Sequence, residues 1–124
     1  MVIHRNEMKI EEKESLRDGY GKARITHLDE KAAGSNSSEP GGKHKNTRLL
    51  AEIILEPGAS IGYHRHDSET EYYFIIEGNG VVNDDGVELK VSPGDAVITG
   101  NGASHAIKNT GTDPLVFHAV IILG

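Results

Sequence analysis

Four side chains stand out for the chemistry they could do together: His64, His66, Glu71 and His105. The first two form a His-x-His pair, Glu71 follows five residues later, and His105 lies well downstream. Three imidazoles and a carboxylate suit a divalent first-row transition metal. The chain has no cysteine, so nitrogen and oxygen are the donors it can offer. Four protein donors on an octahedral ion leave two positions, enough for a chelating ligand or for a ligand together with O₂. A metal held there would polarise a carboxylate, carbonyl or enolate as a Lewis acid, or mediate electron transfer to O₂. The donors bind as neutral imidazole and ionised carboxylate, so acid is expected to release the ion. Without a metal, the same residues would be two surface histidines, a surface glutamate and a core histidine.

Strands are the elements that could position these groups. Side chains at i and i+2 of a strand share a face, so His64 and His66 converge on one side. If Glu71 opens the next antiparallel strand, the intervening turn brings its carboxylate back towards them, and His105 completes the set from a separate strand. The surrounding texture agrees. Strand-like runs at 48–55, 61–66, 71–77, 81–83, 87–91, 96–99, 105–109 and 115–123 alternate with turn signals such as Glu56-Pro57-Gly58, Gly78-Asn79-Gly80, Asp84-Asp85-Gly86 and Ser92-Pro93-Gly94-Asp95. Many short strands so spaced mean an all-β sandwich or barrel. Residues 47–124 are expected to form that domain. Residues 1–28 read as an N-terminal arm that adds a strand at 23–28. Its first 18 residues are dense in Glu and Lys, and a short helix, an extended arm and partial disorder all remain open for them. Residues 29–46, rich in Gly, Ser, Asn and Pro, read as a flexible loop or a functional lid.

Strand parity nominates further pocket residues. Tyr73 and Ile75 share the Glu71 face, whereas Tyr72 and Phe74 point the other way. Ile107 and Asn109 share the His105 face, although Asn109 also suits a strand end. His118 sits between Val116 and Val120 and is expected to be a core histidine or to support the site. Arg48 and Glu52 share a mixed face with Leu50 and Ile54, and either could enter the pocket or lie on the surface. His4, His27 and His44 have no partner at useful spacing and are expected to be exposed. The cluster Lys43, His44, Lys45 and Arg48 reads as a solvated loop, with an anion-steering rim as the alternative.

At 124 residues the chain is one domain, long enough to bury about two-thirds of its unfolded surface. A net charge of −6 argues against nucleic-acid binding. No apolar run approaches the roughly 20 residues of a membrane span, and no signal-peptide core opens the sequence, so a cytoplasmic protein is expected. No Walker loop, dinucleotide fingerprint or nucleophile elbow is present.

Two glycine-bounded frames carry a family resemblance. The first runs Gly58, five residues, His64-x-His66, four residues, Glu71, six residues, Gly78. The second runs Gly94, seven residues, Gly102, two residues, His105, three residues, Asn109. Together they resemble the paired motifs of the cupin superfamily, small double-stranded β-helix (jelly-roll) barrels. The match covers about 47–123. It departs at Gly100, where the second motif usually has a proline, which is a turn residue and not a ligand. The resemblance implies one divalent metal per chain on His64, His66, Glu71 and His105, with Mn or Fe foremost and Zn, Ni, Co or Cu as alternatives. Among single-domain cupins the chain is most similar to the oxalate-decarboxylase-like group, with dioxygenases and sugar or sugar-phosphate isomerases as neighbours. A metal-dependent enzyme acting on a small carboxylate, oxalate first, is therefore expected. Decarboxylation in that group also needs a general acid on a lid, for which Glu39 and its loop are the one candidate. A non-catalytic binding or sensing module is the alternative, although no DNA-binding helix pair is attached. The resemblance also implies a homodimer that pairs through outer strands and the arm.

Overall fold

The structure, a computed structural model, describes residues 1–32 and 46–124. The expected loop residues 33–45, including Glu39 and the basic cluster members Lys43, His44 and Lys45, lie outside the described residues.

Among the described residues ten strands follow in chain order: β1 (Met8–Glu14), β2 (Lys22–Lys31), β3 (Thr47–Leu55), β4 (Ser60–Arg65), β5 (Glu69–Glu77), β6 (Gly80–Asp84), β7 (Val87–Val91), β8 (Ala96–Gly100), β9 (Ser104–Asn109) and β10 (Leu115–Leu123). They form two antiparallel sheets, one ordered β1-β2-β3-β10-β5-β8 and the other β4-β9-β6-β7. The fold is an all-β jelly roll.

Alternation along each strand decides which face closes the core. On β10, Leu115, Phe117, Ala119 and Ile121 are buried while the residues between them point outward. Ala51, Ile53 and Leu55 do the same on β3. Across the interior, Ile61, Val82, Val91 and Ile107 supply the facing layer from the smaller sheet. The β6–β7 hairpin shows how local chemistry sets register. Asp85 and Gly86 both have positive φ (50° and 100°), the pair a two-residue hairpin turn with the strands' own twist requires. The Asn83 side-chain oxygen accepts the Gly86 N–H at 2.8 Å, which closes the turn.

The N-terminal region differs from its sequence reading. It contributes two strands, and β1 pairs with β2 along its whole length. β2 in turn pairs with β3, and it runs to Lys31, so the loop expected from residue 29 begins later. Between β1 and β2, a short 3-10 turn over Leu16–Asp18 packs against β4.

Asn109 is an interior strut. Its side-chain N–H groups donate to the carbonyls of Leu55 (2.9 Å) and Asp113 (2.8 Å), and its oxygen accepts the Gly111 N–H (2.9 Å). It is 1% exposed, so Asn109→Ala would strip buried groups of their partners. The expected cost is about 2 kcal/mol, read as a lower urea midpoint with an unchanged slope.

Candidate metal centre

The four candidate ligands come from both sheets. β4 pairs with β9 so that His64 and His105 are direct cross-strand partners. His66 lies just past β4 on the same face as His64, and the ladder continues through its N–H to Ala103 O at 3.0 Å. Glu71 is the third residue of β5 and reaches in from the opposite sheet. The expected β4–β5 hairpin is absent. The chain instead crosses between sheets through Asp67 and Ser68, the latter at φ 57°, so Glu71 faces the histidines across the sandwich.

The donor atoms converge. One ligand atom from each of the four residues lies within 4.8 Å of the others. The Nε2 atoms of His66 and His105 are 3.0 Å apart, and those of His105 and His64 are 3.2 Å apart. Glu71 Oε1 is 2.9 Å from Nε2 of both His66 and His105 and 4.0 Å from that of His64. The three rings meet edge to face, with interplanar angles of 69–89°.

Each ring's other nitrogen has an acceptor within reach. His64 Nδ1 lies 2.6 Å from the Gly62 carbonyl, His66 Nδ1 2.5 Å from Glu69 Oε2, and His105 Nδ1 2.8 Å from Thr99 Oγ1. With Nδ1–H donating outward, all three Nε2 lone pairs turn inward. Glu69 is itself held by Arg48, whose Nε and Nη2 each donate to it at 2.7 Å. Thr99 is placed by the pairing of β8 with β5, where it sits opposite Glu71.

This arrangement fits a cation. Glu71 Oε1 is buried without a hydrogen-bond partner. Three imidazole nitrogens surround it, and in the tautomers just described none has a proton to give. Four inward-pointing acceptors in a 0–3% exposed nest (His66, Glu71, His105), with His64 at its edge, suit a shared positive charge. The residues form a group that could hold one metal ion.

Without a metal, the same contacts favour a proton held between Glu71 and the imidazoles. Burial opposes ionisation of Glu71, but contact with the three imidazoles outweighs it and holds the carboxyl well below the usual range. Contact with Glu71 raises His66 against the opposing effect of burial. Burial lowers His105, which favours its neutral, metal-binding form. Burial, and then the charge of Glu71, push the Tyr73 hydroxyl well above its ordinary value, so it stays a neutral phenol.

A cavity of about 200 Å³ opens beside His64, His66 and Glu71. Tyr73 forms part of its wall and stacks on His105, with centroids 4.8 Å apart and planes at 17°. Ile75 and Ile107 share the expected faces but lie in the core and line no part of this cavity. Asn109 and Ile75 are each four residues along the strand from their ligands, about 13 Å at the strand rise. His118 is neither in the core nor at the cavity. The inward set on β10 is the odd-numbered one, so His118 faces outward with its apolar neighbours, 3.4 Å from Glu52. Glu52 lies on that outer face too and accepts from Arg5 at 2.6 Å, whereas Arg48 lines the cavity. His27, expected to be exposed, also lines the cavity, and its ring contacts Glu11 (2.9 Å) and Glu30 (3.2 Å). His4 is exposed, as expected.

Sequence reasoning missed the supporting groups Glu69 and Thr99 and the arm residues Glu11, Lys13 and Arg17 that line the cavity. For Glu69 a faint signal existed in its three-residue spacing from His66. For the others there was none.

The model of the family described as the cupin domain matches residues 51–121, more than half of the chain. The chain belongs to the cupin family. An oxalate-binding protein of Thermotoga maritima is 39% identical to this cupin over 123 residues, covering 99% of this chain and 94% of the relative. A crystal structure described as a predicted oxalate decarboxylase, also from Thermotoga maritima, superposes with a TM-score of 0.84 at 39% identity, covering 100% of both chains. A second structure, an RmlC-like cupin from Shewanella frigidimarina, gives a TM-score of 0.73 at 15% identity over 99% of this chain and 90% of its own, and so shows the fold alone. Among the described residues no helix is long and apolar enough to cross a membrane.

Proposed function

We propose that this cupin holds one divalent transition metal, Mn or Fe foremost, through His64, His66, Glu71 and His105, and acts on a small carboxylate that enters the adjoining cavity. Oxalate is the leading ligand. The observation that carries this reading is the buried, unpartnered Glu71 oxygen facing three imidazole nitrogens. When bound, the metal supplies a Lewis acid or a redox centre. The protein's own residues do the rest. Gly62, Glu69 and Thr99 orient the rings, and Arg48 fixes Glu69. Tyr73 walls the cavity as a neutral donor beside His105, with its hydroxyl 3.4 Å from Nε2. A volume of about 200 Å³ lies below the roughly 300–1,000 Å³ of pockets for drug-sized ligands, which favours a compact acid over a sugar phosphate. The Thermotoga relative's description as oxalate-binding supports the same ligand class.

Calorimetric titration of metal-loaded protein with oxalate, followed by assays for CO₂ release and O₂ consumption, tests the proposal. Saturable binding with turnover is expected. Absence of oxalate binding would remove the ligand assignment. Binding without turnover would favour a non-catalytic carboxylate-binding module. One observation leans that way: among the described residues both acids lining the cavity are engaged, Glu11 with Lys13 and His27, and Glu71 among the imidazoles. The proposal extends to a homodimer, supported by the exposed apolar residues Phe74, Ile76 and Ile98 on the outer face of β5 and β8. Light scattering at the mass of a single chain would remove that part.

A further inference from the structure

We infer that Arg17, on the turn between β1 and β2, is the specificity-determining residue of the cavity. It holds a negatively charged end of the ligand remote from the His–Glu cluster, so that the site prefers compact dianions of the oxalate class to monoanions. The inference rests on the carboxylate reading above and lies outside the segment that the family model matches, 51–121.

The charges around the cavity single Arg17 out. Besides His64 and His66 of the cluster, four basic side chains line it: Lys13, Arg17, His27 and Arg48. Lys13 lies 3.4 Å from Glu11, His27 lies between Glu11 and Glu30, and Arg48 is bound through two nitrogens to Glu69. Arg17 alone of the four has no carboxylate partner among the described residues. Arg17 is exposed as well as lining the cavity, and a cation with no carboxylate partner among the described residues is available to a ligand. Guanidinium presents a planar fork that matches a carboxylate, and its charge does not titrate away.

The backbone holds Arg17 there in an unfavourable conformation. Its φ and ψ are 54° and 40°, and Ser15 and Asp18 on either side are left-handed as well, at φ 53° and 61°. Side-chain-bearing residues rarely adopt this region, and such outliers cluster at functional sites. The turn is pinned on several sides. Ser15 N–H donates to Gly21 O at 3.0 Å, and Ser60 N–H donates to Tyr20 O at 2.7 Å. Tyr20 N–H donates to the Ser60 hydroxyl at 2.9 Å. The Arg17 carbonyl packs so closely on Gly62 that a Cβ at Gly62 would collide with it. Gly62 is also the residue whose carbonyl receives His64 Nδ1, so the arm turn and one candidate ligand are fixed to the same residue. The field of Arg17 extends into the site as well. Burial and the Glu71 carboxylate push the Tyr73 hydroxyl up, and Arg17 opposes them.

A monoanion spends its charge at the cluster and leaves Arg17 nothing to bind. A dianion carries a second charge for Arg17, and a cavity of about 200 Å³ takes a ligand of few heavy atoms.

The test titrates metal-loaded wild type, Arg17→Gln and Arg17→Asn with oxalate and with glycolate, a chelator carrying one negative charge. Asparagine tolerates the left-handed backbone, so it removes the charge without adding strain. Metal content and circular dichroism are read on every sample. Both variants are expected to keep wild-type metal content and fold, to lose about 10–100-fold in oxalate affinity, and to change little towards glycolate. Equal losses for both acids, an unchanged oxalate affinity, or loss of metal in both variants would each overturn the role given to Arg17. Wild type that binds neither acid would overturn the carboxylate reading, and this inference with it.

Discussion

His66→Ala is expected to yield a folded chain that has lost its metal affinity, by more than the roughly 100-fold that removal of an outer hydrogen-bond partner can cost. His66 is at the centre of the donor set. Its Nε2 is 3.0 Å from that of His105 and 2.9 Å from Glu71 Oε1, while its Nδ1 reaches the Arg48-held Glu69. Alanine removes one of four donors and, with it, the link that anchors the cluster to Glu69. The fold survives because the apolar core does not depend on this ring. Leu55, Leu115, Phe117 and their neighbours close the sandwich along β3 and β10, and water from the adjoining cavity can enter the space the ring leaves. The readouts are elemental analysis of dialysed protein and the far-ultraviolet dichroism spectrum. A variant that keeps wild-type metal content would contradict the assignment of His66 as a ligand. One that loses structure while holding metal would contradict it too.

Phe117→Ala is expected to produce the largest loss of stability of any single core truncation, about 3–5 kcal/mol. Phe117 is 0% exposed on β10, the strand at the middle of the larger sheet. Its ring packs 4.6 Å from that of Tyr73, centroid to centroid, and Tyr73 stacks in turn on His105. The interior is close-packed, so the void would collapse only in part, and the wall of the cavity would lose its backing. Thermal unfolding should move down by roughly 10–20 °C for a chain of this size. Metal affinity should weaken only modestly, because the donor atoms remain. A loss below about 1 kcal/mol would mean that Phe117 does not anchor the core as its burial implies.

The sequence is most readable where one face of each strand meets the core. From Thr47 onward, turn chemistry such as Asp85-Gly86 and Pro93-Gly94 separates runs whose inner residues are apolar, and the strands follow. The four donors came into view because metal chemistry restricts residue types so tightly, and the structure brings them together. β1 was harder. Its cavity-facing residues include Glu11 and Lys13, so no apolar alternation marks it as a strand. His27 was hidden for the same reason, since its partners Glu11 and Glu30 are set by strand pairing and a local three-residue contact in a region read as an arm. His118 misled because β10 is apolar on both faces, and parity alone does not say which face is inside. Asn109 and Ile75 share faces with Glu71 or His105 but sit too far along their strands to reach the cavity. The inter-sheet crossing at Asp67 and Ser68 was equally silent, because a short polar link suits a hairpin as well as a crossover.

The most direct measurement is the metal content of the full chain, purified without chelator or histidine tag, by elemental mass spectrometry against protein concentration. The account predicts close to one divalent transition metal per chain, or uptake of one on reconstitution, and loss of that stoichiometry in His66→Ala. Wild-type protein that carries no metal and takes up none of Mn, Fe, Co, Ni, Cu or Zn would contradict it.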